Sequence, residues 1–176
     1  MEPFVSYYTS FSGADCQALL QGEFFRDLRE SLAALPRCLV HRDFQSQNLL
    51  VRDGKIYLID YQGVRHGIGA YDTASLLYDP YVNLITAERR ELLDFYANLM
   101  GFSEQDDFQH YFSLAASQRL MQALGAYGNL GRNHKKPEFF QHITPALKNL
   151  SEVVARDKFL NPLSKVLDAV KPIQGA

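Results

Sequence analysis

The amino-acid sequence predicts a mainly α-helical domain carrying one small β-hairpin, an α+β fold with little sheet. Three observations carry this expectation. Apolar residues recur at three- and four-residue steps before residue 36 and again after residue 70, the period of helices with one buried face. Between these stretches, two short apolar runs flank Asp53-Gly54, a pair that tolerates the positive φ of a tight hairpin turn. The composition, 47% hydrophobic and 22% charged over 176 residues, is that of an ordinary globular chain and excludes a fibre or a disordered tract. With 12 Phe, 10 Tyr and no Trp, aromatic rings supply much of the core.

Residues 1–14 are aromatic and polar without a clear period, and such a segment is expected to pack on something outside itself. From about Asp15, Leu19, Leu20, Phe24, Phe25, Leu28, Leu32 and Leu35 fall at helical steps, with Gly22 dividing the run and Pro36 ending it. Cys38-Leu39-Val40 reads as a short strand with Cys38 buried. Leu49–Val51 and Lys55–Asp60 form the hairpin. After a loop holding Gly63, Gly67 and Gly69, everything reads as helix: near 71–79, 87–100, 104–130 with a break near Tyr111, and 137–155. Gly101 is placed as the C-cap of the second of these and Pro137 as the first residue of the fourth. Leu92, Leu93, Phe95, Tyr96 and Leu99 predict a core face on the second. Beyond Arg156, Pro162, Pro172 and Gly175 suggest a tail along the surface. The organisation is therefore an N-terminal segment 1–14, a body 15–155 and a tail 156–176.

A net charge of −2 argues against binding along a nucleic-acid backbone, which needs a strongly basic face. No apolar run approaches the roughly 20 residues of a membrane span, and no secretory signal pattern opens the chain. Cys16 and Cys38 are too few for a disulfide framework or a zinc site, so a reducing cytoplasmic setting is expected. His66, His110, His134 and His142 show no ligand spacing with one another, and Arg132, His134, Lys135 and Lys136 read as a solvated interhelix loop.

Chemistry concentrates between the strands, in His41-Arg42-Asp43-Phe44-Gln45-Ser46-Gln47-Asn48, with Asp60 at the end of the hairpin. The hairpin returns Asp60 towards Asn48, so Asp43, Asn48 and Asp60 are expected to converge. Two carboxylates and a carboxamide make a hard-oxygen set suited to Mg²⁺ with phosphate and water oxygens, and unsuited to zinc.

This pattern, HRDxxxxN followed by an acid after the next hairpin, resembles the catalytic loop of protein kinase-like enzymes. Asp60 is followed by Tyr61-Gln62 rather than Phe-Gly, and no Ala-Pro-Glu segment follows, which separates it from protein kinases proper. LVHRDFQSQNLLV, IDYQG and YDTASLLYDP are most similar to the aminoglycoside phosphotransferase family, and within it to kinases of cell-wall amino sugars. The resemblance covers roughly 35–155. It implies the C-terminal lobe of a protein kinase-like fold, with the strand-rich N-terminal lobe absent.

Carried over, the resemblance makes Asp43 the catalytic base and gives Asn48 and Asp60 to Mg²⁺ on the phosphates of ATP. Leu50 and Ile59 would floor the adenine pocket, His41 would brace the loop, and Asp72 would tie down its backbone. Arg119, Gln122 and Tyr127 on the long helix would face the acceptor. Local readings stand beside these: a buried structural His41, Asp72 as a helix N-cap, a plain core role for Tyr127.

The implied activity transfers the γ-phosphoryl of ATP to a hydroxyl of a small molecule, a sugar or amino sugar. The alternative is a kinase-like fragment, catalytically incompetent, that serves as a binding or scaffold module. A hydrolase using Asp43 and Asp60 as acid and base leaves Asn48 unexplained. A missing lobe would also leave Leu50, Ile59, Phe4, Tyr7 and Tyr8 uncovered, an apolar surface promoting self-association.

Overall fold

A computed structural model describes residues 1–8, 12–82 and 84–170. Its described elements are, in order, helices α1 (Glu2–Tyr8), α2 (Gly13–Gln21) and α3 (Glu23–Ala34), strands β1 (Arg37–Val40), β2 (Leu49–Arg52), β3 (Lys55–Leu58) and β4 (Arg65–Ile68), and helices α4 (Gly69–Leu77), α5 (Thr86–Leu99), α6 (Gln105–Arg132), α7 (Ile143–Ala155) and α8 (Pro162–Asp168). Helix predominates, as the sequence leads one to expect.

The long helix α6 is the axis of the body. Phe108, Tyr111, Phe112, Leu114, Ala115, Ala116, Leu120, Met121 and Leu124 are buried along it, more than one stripe of a helix can present, so it is covered from several sides. It runs unbroken through Tyr111, contrary to the expected break. Tyr111 is instead a fixed point, its hydroxyl accepting from the backbone N–H of Ala70 at 3.1 Å. Helices α1, α4 and α7 pack on α6. Gly22 does divide the first helical run, ending α2 and opening α3 in extended conformation. Gly101 closes α5 at φ 75°, with its N–H on the Asn98 carbonyl and that of Phe102 on Ala97, so two otherwise orphaned carbonyls are satisfied.

The N-terminal segment is corrected by the structure. Residues 2–8 form a helix whose Phe4, Val5 and Tyr8 are buried against α6, and Tyr8 donates to the Leu124 carbonyl. Close approach is possible because α6 offers Gly125 and Gly128 there; a Cβ on Gly128 would meet the Tyr8 hydroxyl at 2.8 Å. Phe4 and Tyr8 are thus core rather than an uncovered surface, while residues 9–11 lie outside the described residues. Phe4→Ala is expected to destabilise the protein by about 4 kcal/mol in urea unfolding, the cost of emptying a fully buried Phe site. A loss below about 1 kcal/mol would show that α1 contributes little to the body.

Five further expectations change. Cys38 is exposed rather than buried, because β1 has one strand neighbour, β4, and turns only Val40 inward. Strand β4 itself was expected to be loop; its Arg65-His66-Gly67-Ile68 has no apolar alternation, and backbone pairing with β1 makes it a strand. On α5, Leu92, Phe95 and Leu99 are exposed, and only one narrow edge with Leu93, Tyr96 and Ala97 leans on the core. The stretch 137–155 begins as a 3-10 turn from Pro137 to His142, and α7 starts at Ile143, which puts Pro145 in the first turn where its missing N–H costs nothing. Finally, the expected surface tail folds back: Pro162 opens α8, and Leu160, Leu163 and Val166 are buried. Residues 171–176, with Pro172 and Gly175, lie outside the described residues.

The four strands form two separate antiparallel pairs, β1 with β4 and β2 with β3. In the hairpin, Leu49 faces Leu58 and Arg52 faces Lys55 across the Asp53-Gly54 turn. The loop 41–48 joins the two pairs, so it is held at both ends by strands and underneath by α4.

Candidate active site

The loop is built by a polar stripe on one helix. Asp72, Ser75 and Asp79 recur at three- and four-residue steps through α4 and just past it, so they share a side. Asp72 accepts from the backbone N–H groups of His41 and Arg42, the latter at 2.8 Å. This anchors Arg42 at φ 74°, a left-handed conformation that is costly for a residue with a side chain. Asp79, buried, accepts from the N–H of Ser46 and, at 2.9 Å, from that of Tyr81. Asp72 lies inside the first turns of α4, which starts at Gly69, so it is no N-cap; its carboxylate serves the loop instead.

Within the loop, Asn48 is buried and spends both amide hydrogens on Asp43, at 2.8 Å to its carbonyl and 3.2 Å to Oδ2. What Asn48 retains is its carbonyl oxygen. Its backbone carbonyl accepts from Ile59 N–H at 3.1 Å, which joins the loop to the base of the hairpin. His41 is buried, with Nε2 at 2.9 Å from the Ile59 carbonyl oxygen. A carbonyl can only accept, so Nε2 carries the proton and donates. Asp60 stands at φ 64°, its Oδ1 accepting from Gln62 Nε2 at 2.8 Å.

A cavity of about 310 Å³ opens over this loop. Asp43, Asp60, Arg119, Gln122 and Tyr127 line it together, as does His41. Asn48 reaches it only through Asp43, and Leu50 and Ile59 sit apart on the hairpin, 48% and 40% exposed. Tyr71 belongs to the wall as well: its hydroxyl donates to Gln122 Oε1 and its ring lies 5.7 Å from the Arg119 guanidinium carbon. Tyr127 stacks on Phe139 and contacts the ring of His142. Asp79 and Tyr71 received no role from the sequence, although the helical spacing of Asp72, Ser75 and Asp79 is visible in it.

Burial of two phenols in the wall keeps them neutral to higher pH than usual. Burial pushes Tyr127 up to about 12 against the opposing effect of Arg119, and raises Tyr71 likewise against Arg119 and Arg42. Burial lowers His142, with Asp79 opposing. In the unfolded chain a phenol ionises near pH ~10, so above that pH the unfolded state sheds protons that the folded state keeps. Stability is therefore full below about pH 10 and falls as the pH rises towards 12. An ultraviolet phenolate titration should show part of the tyrosines ionising only as circular dichroism reports unfolding. Ionisation of all 10 near pH 10 with native ellipticity would contradict the buried wall.

Among the described residues no helix is long and apolar enough to cross a membrane, and no three His, Cys, Asp or Glu side chains gather as a metal cluster. Comparison with known proteins gives this geometry its context. Over 142 residues the chain is 29% identical to the N-acetylmuramate/N-acetylglucosamine kinase of Neisseria meningitidis serogroup B, covering 77% of this chain and 42% of that protein. It is 26% identical over 147 residues to the enzyme of the same name from Pseudomonas aeruginosa, covering 80% and 43%. The chain thus spans less than half the length of these curated relatives. The model of the phosphotransferase enzyme family (APH) matches residues 7–108, a stretch that takes in the whole of the loop, the hairpin and the α4 stripe beneath them. More than half of the chain falls within that match, and the protein belongs to the phosphotransferase enzyme family.

Proposed function

We propose that this chain is the catalytic and acceptor-binding lobe of an ATP- and Mg²⁺-dependent kinase that phosphorylates a hydroxyl of a sugar or amino sugar. One observation carries the reading: Asp43 and Asp60 share a single cavity with Arg119, Gln122 and Tyr127, so a base and a phosphate-side acid face the same space as a polar, aromatic wall. The names of the relatives favour an amino sugar as acceptor.

Asp43 is the base. Asn48 occupies its Oδ2, leaving Oδ1 to take the proton of the acceptor hydroxyl. Asn48 Oδ1 and the Asp60 carboxylate hold Mg²⁺; the donors are hard oxygens and so fit that ion. When bound, the ion neutralises the phosphates of the nucleotide. Asp72 and Asp79 keep the loop in shape beneath the reaction, and His41 fastens Ile59 to it. Arg119, Gln122 and Tyr127 seat the acceptor. Phosphoryl transfer asks for positioning and charge neutralisation more than for covalent chemistry, and these residues supply both.

Leu50 and Ile59 form the floor for adenine, and an N-terminal lobe covers them in the active protein. Without that cover, the hairpin face favours self-association. A cytoplasmic setting follows from the need for ATP.

The test is ³¹P NMR of the chain with Mg·ATP and a panel of sugars and amino sugars, then of the chain joined to an upstream lobe. A new phosphate-ester signal that requires Asp43 supports the reading. Silence in both forms overturns it in favour of a non-catalytic binding module.

A further inference from the structure

Arg119 stands where two cavities adjoin. With Ala123 and Tyr127 it lines both the cavity over Asp43 and a larger one of about 620 Å³ beside it, walled by α7 and the start of α5. Its guanidinium is fixed from behind: Nε donates to the hydroxyl of buried Ser75 at 3.0 Å, and the ring of Tyr71 lies against it. That leaves the two Nη groups. Among the described residues no carboxylate pairs with them. Arg89, also on the larger cavity, by contrast has a carboxylate partner, Glu152, and a contact to Asn149, both through Nη1, while its buried Nε has no partner among the described residues. A half-buried, pre-oriented guanidinium without a counter-ion is a planar fork of donors, the geometry that takes a carboxylate through two parallel hydrogen bonds.

We propose that Arg119 selects acceptors bearing a carboxylate, and so discriminates an acidic amino sugar from its neutral counterpart. The inference rests on the sugar-kinase reading above. The charges in the cavity fix the orientation. Among the described residues, the loop side of the cavity carries Asp43 and Asp60 against the single cation Arg42, while Arg119 on α6 faces it without a counter-ion, so an acidic acceptor enters with its hydroxyl on Asp43 and its carboxylate on the fork. The larger cavity receives the carboxylate-bearing arm.

The probes are N-acetylmuramate and N-acetylglucosamine, which differ by one lactyl ether carrying a carboxylate. Binding of each to the protein is measured by saturation-transfer NMR and calorimetry, and turnover with Mg·ATP is measured alongside. In Arg119→Gln the affinity for N-acetylmuramate is expected to fall about tenfold or more relative to that for N-acetylglucosamine, the scale of a hydrogen-bonded charge. Arg119→Lys, which keeps the charge and loses the fork, should fall between. In the unaltered protein, added salt should weaken N-acetylmuramate binding and spare N-acetylglucosamine. Equal losses for both sugars would place Arg119 on the transferred phosphoryl group or in the fold and overturn the proposal. So would equal affinities that neither substitution nor salt separates. Failure of the unaltered protein to bind either sugar would overturn the sugar-kinase reading itself, and this inference with it.

Discussion

If Asp43 is the base of the proposed kinase, Asp43→Asn is expected to lower phosphoryl transfer by roughly two to four orders of magnitude, the contribution of a positioned general base, while the protein keeps its fold. The substitution is nearly isosteric, and the amide oxygen still accepts the bond from Asn48 that the carboxylate Oδ2 accepts. What disappears is the oxygen able to take a proton. The loss should therefore fall on turnover, with acceptor affinity and unfolding midpoint close to those of the unaltered protein. The cavity lining favours this separation, since Arg119, Gln122 and Tyr127, the proposed acceptor side, are untouched by the substitution. Kinetics that show a change only in acceptor affinity, with turnover preserved, would remove Asp43 from the role of base.

Asp72→Ala is the second large effect, and it falls on stability. Two backbone N–H groups, those of His41 and Arg42, lose their acceptor, and hydrogen bonds to a charged partner are worth about 1.5–3 kcal/mol each. Water recovers part of this at a half-buried site, so a loss of about 3 kcal/mol is expected. For a chain of this size that lowers the melting temperature by roughly 10 °C. Asp72→Asn should be almost as damaging, because its NH₂ would face one of the same two donors. Thermal and urea unfolding check both variants. A cost below about 1 kcal/mol for either would mean that the loop holds its left-handed turn at Arg42 without help from α4.

The site was more readable in the sequence than the packing around it, for a physical reason. Asp43, Asn48 and Asp60 lie in a short stretch where a two-residue turn dictates the return of the chain, so spacing alone predicts their proximity. The α1 packing depends instead on residues more than a hundred positions away. Nothing local in Phe4 or Tyr8 announces that Gly125 and Gly128 leave room for them. Strand β4 was hidden for a related reason, since its pairing with β1 is supplied by the partner backbone and not by its own side chains. The face of α5 misled in the other direction: Leu92, Phe95 and Leu99 have the spacing of a core stripe but remain exposed. Periodicity reports that a helix has an apolar side and leaves open what, if anything, covers it.

The way the hairpin is fastened has a consequence for how the site responds to binding. At its base, Ile59 is held twice, by the Asn48 carbonyl through its N–H and by His41 through its own carbonyl. Towards the Asp53-Gly54 turn, Val51 and Ile56 on one face and Leu50 and Tyr57 on the other are all open to solvent. Local opening is cheapest where few apolar contacts are lost, so fraying starts at the turn and stops at Ile59. The outer hairpin and the cavity over Asp43 therefore belong to different cooperative units. The outer half of the hairpin, with Leu50, can melt and re-form while Ile59, Asp43, Asn48 and the cavity wall keep their geometry, so on the proposed reading acceptor recognition would rest on the helical body and nucleotide affinity on whatever orders the hairpin.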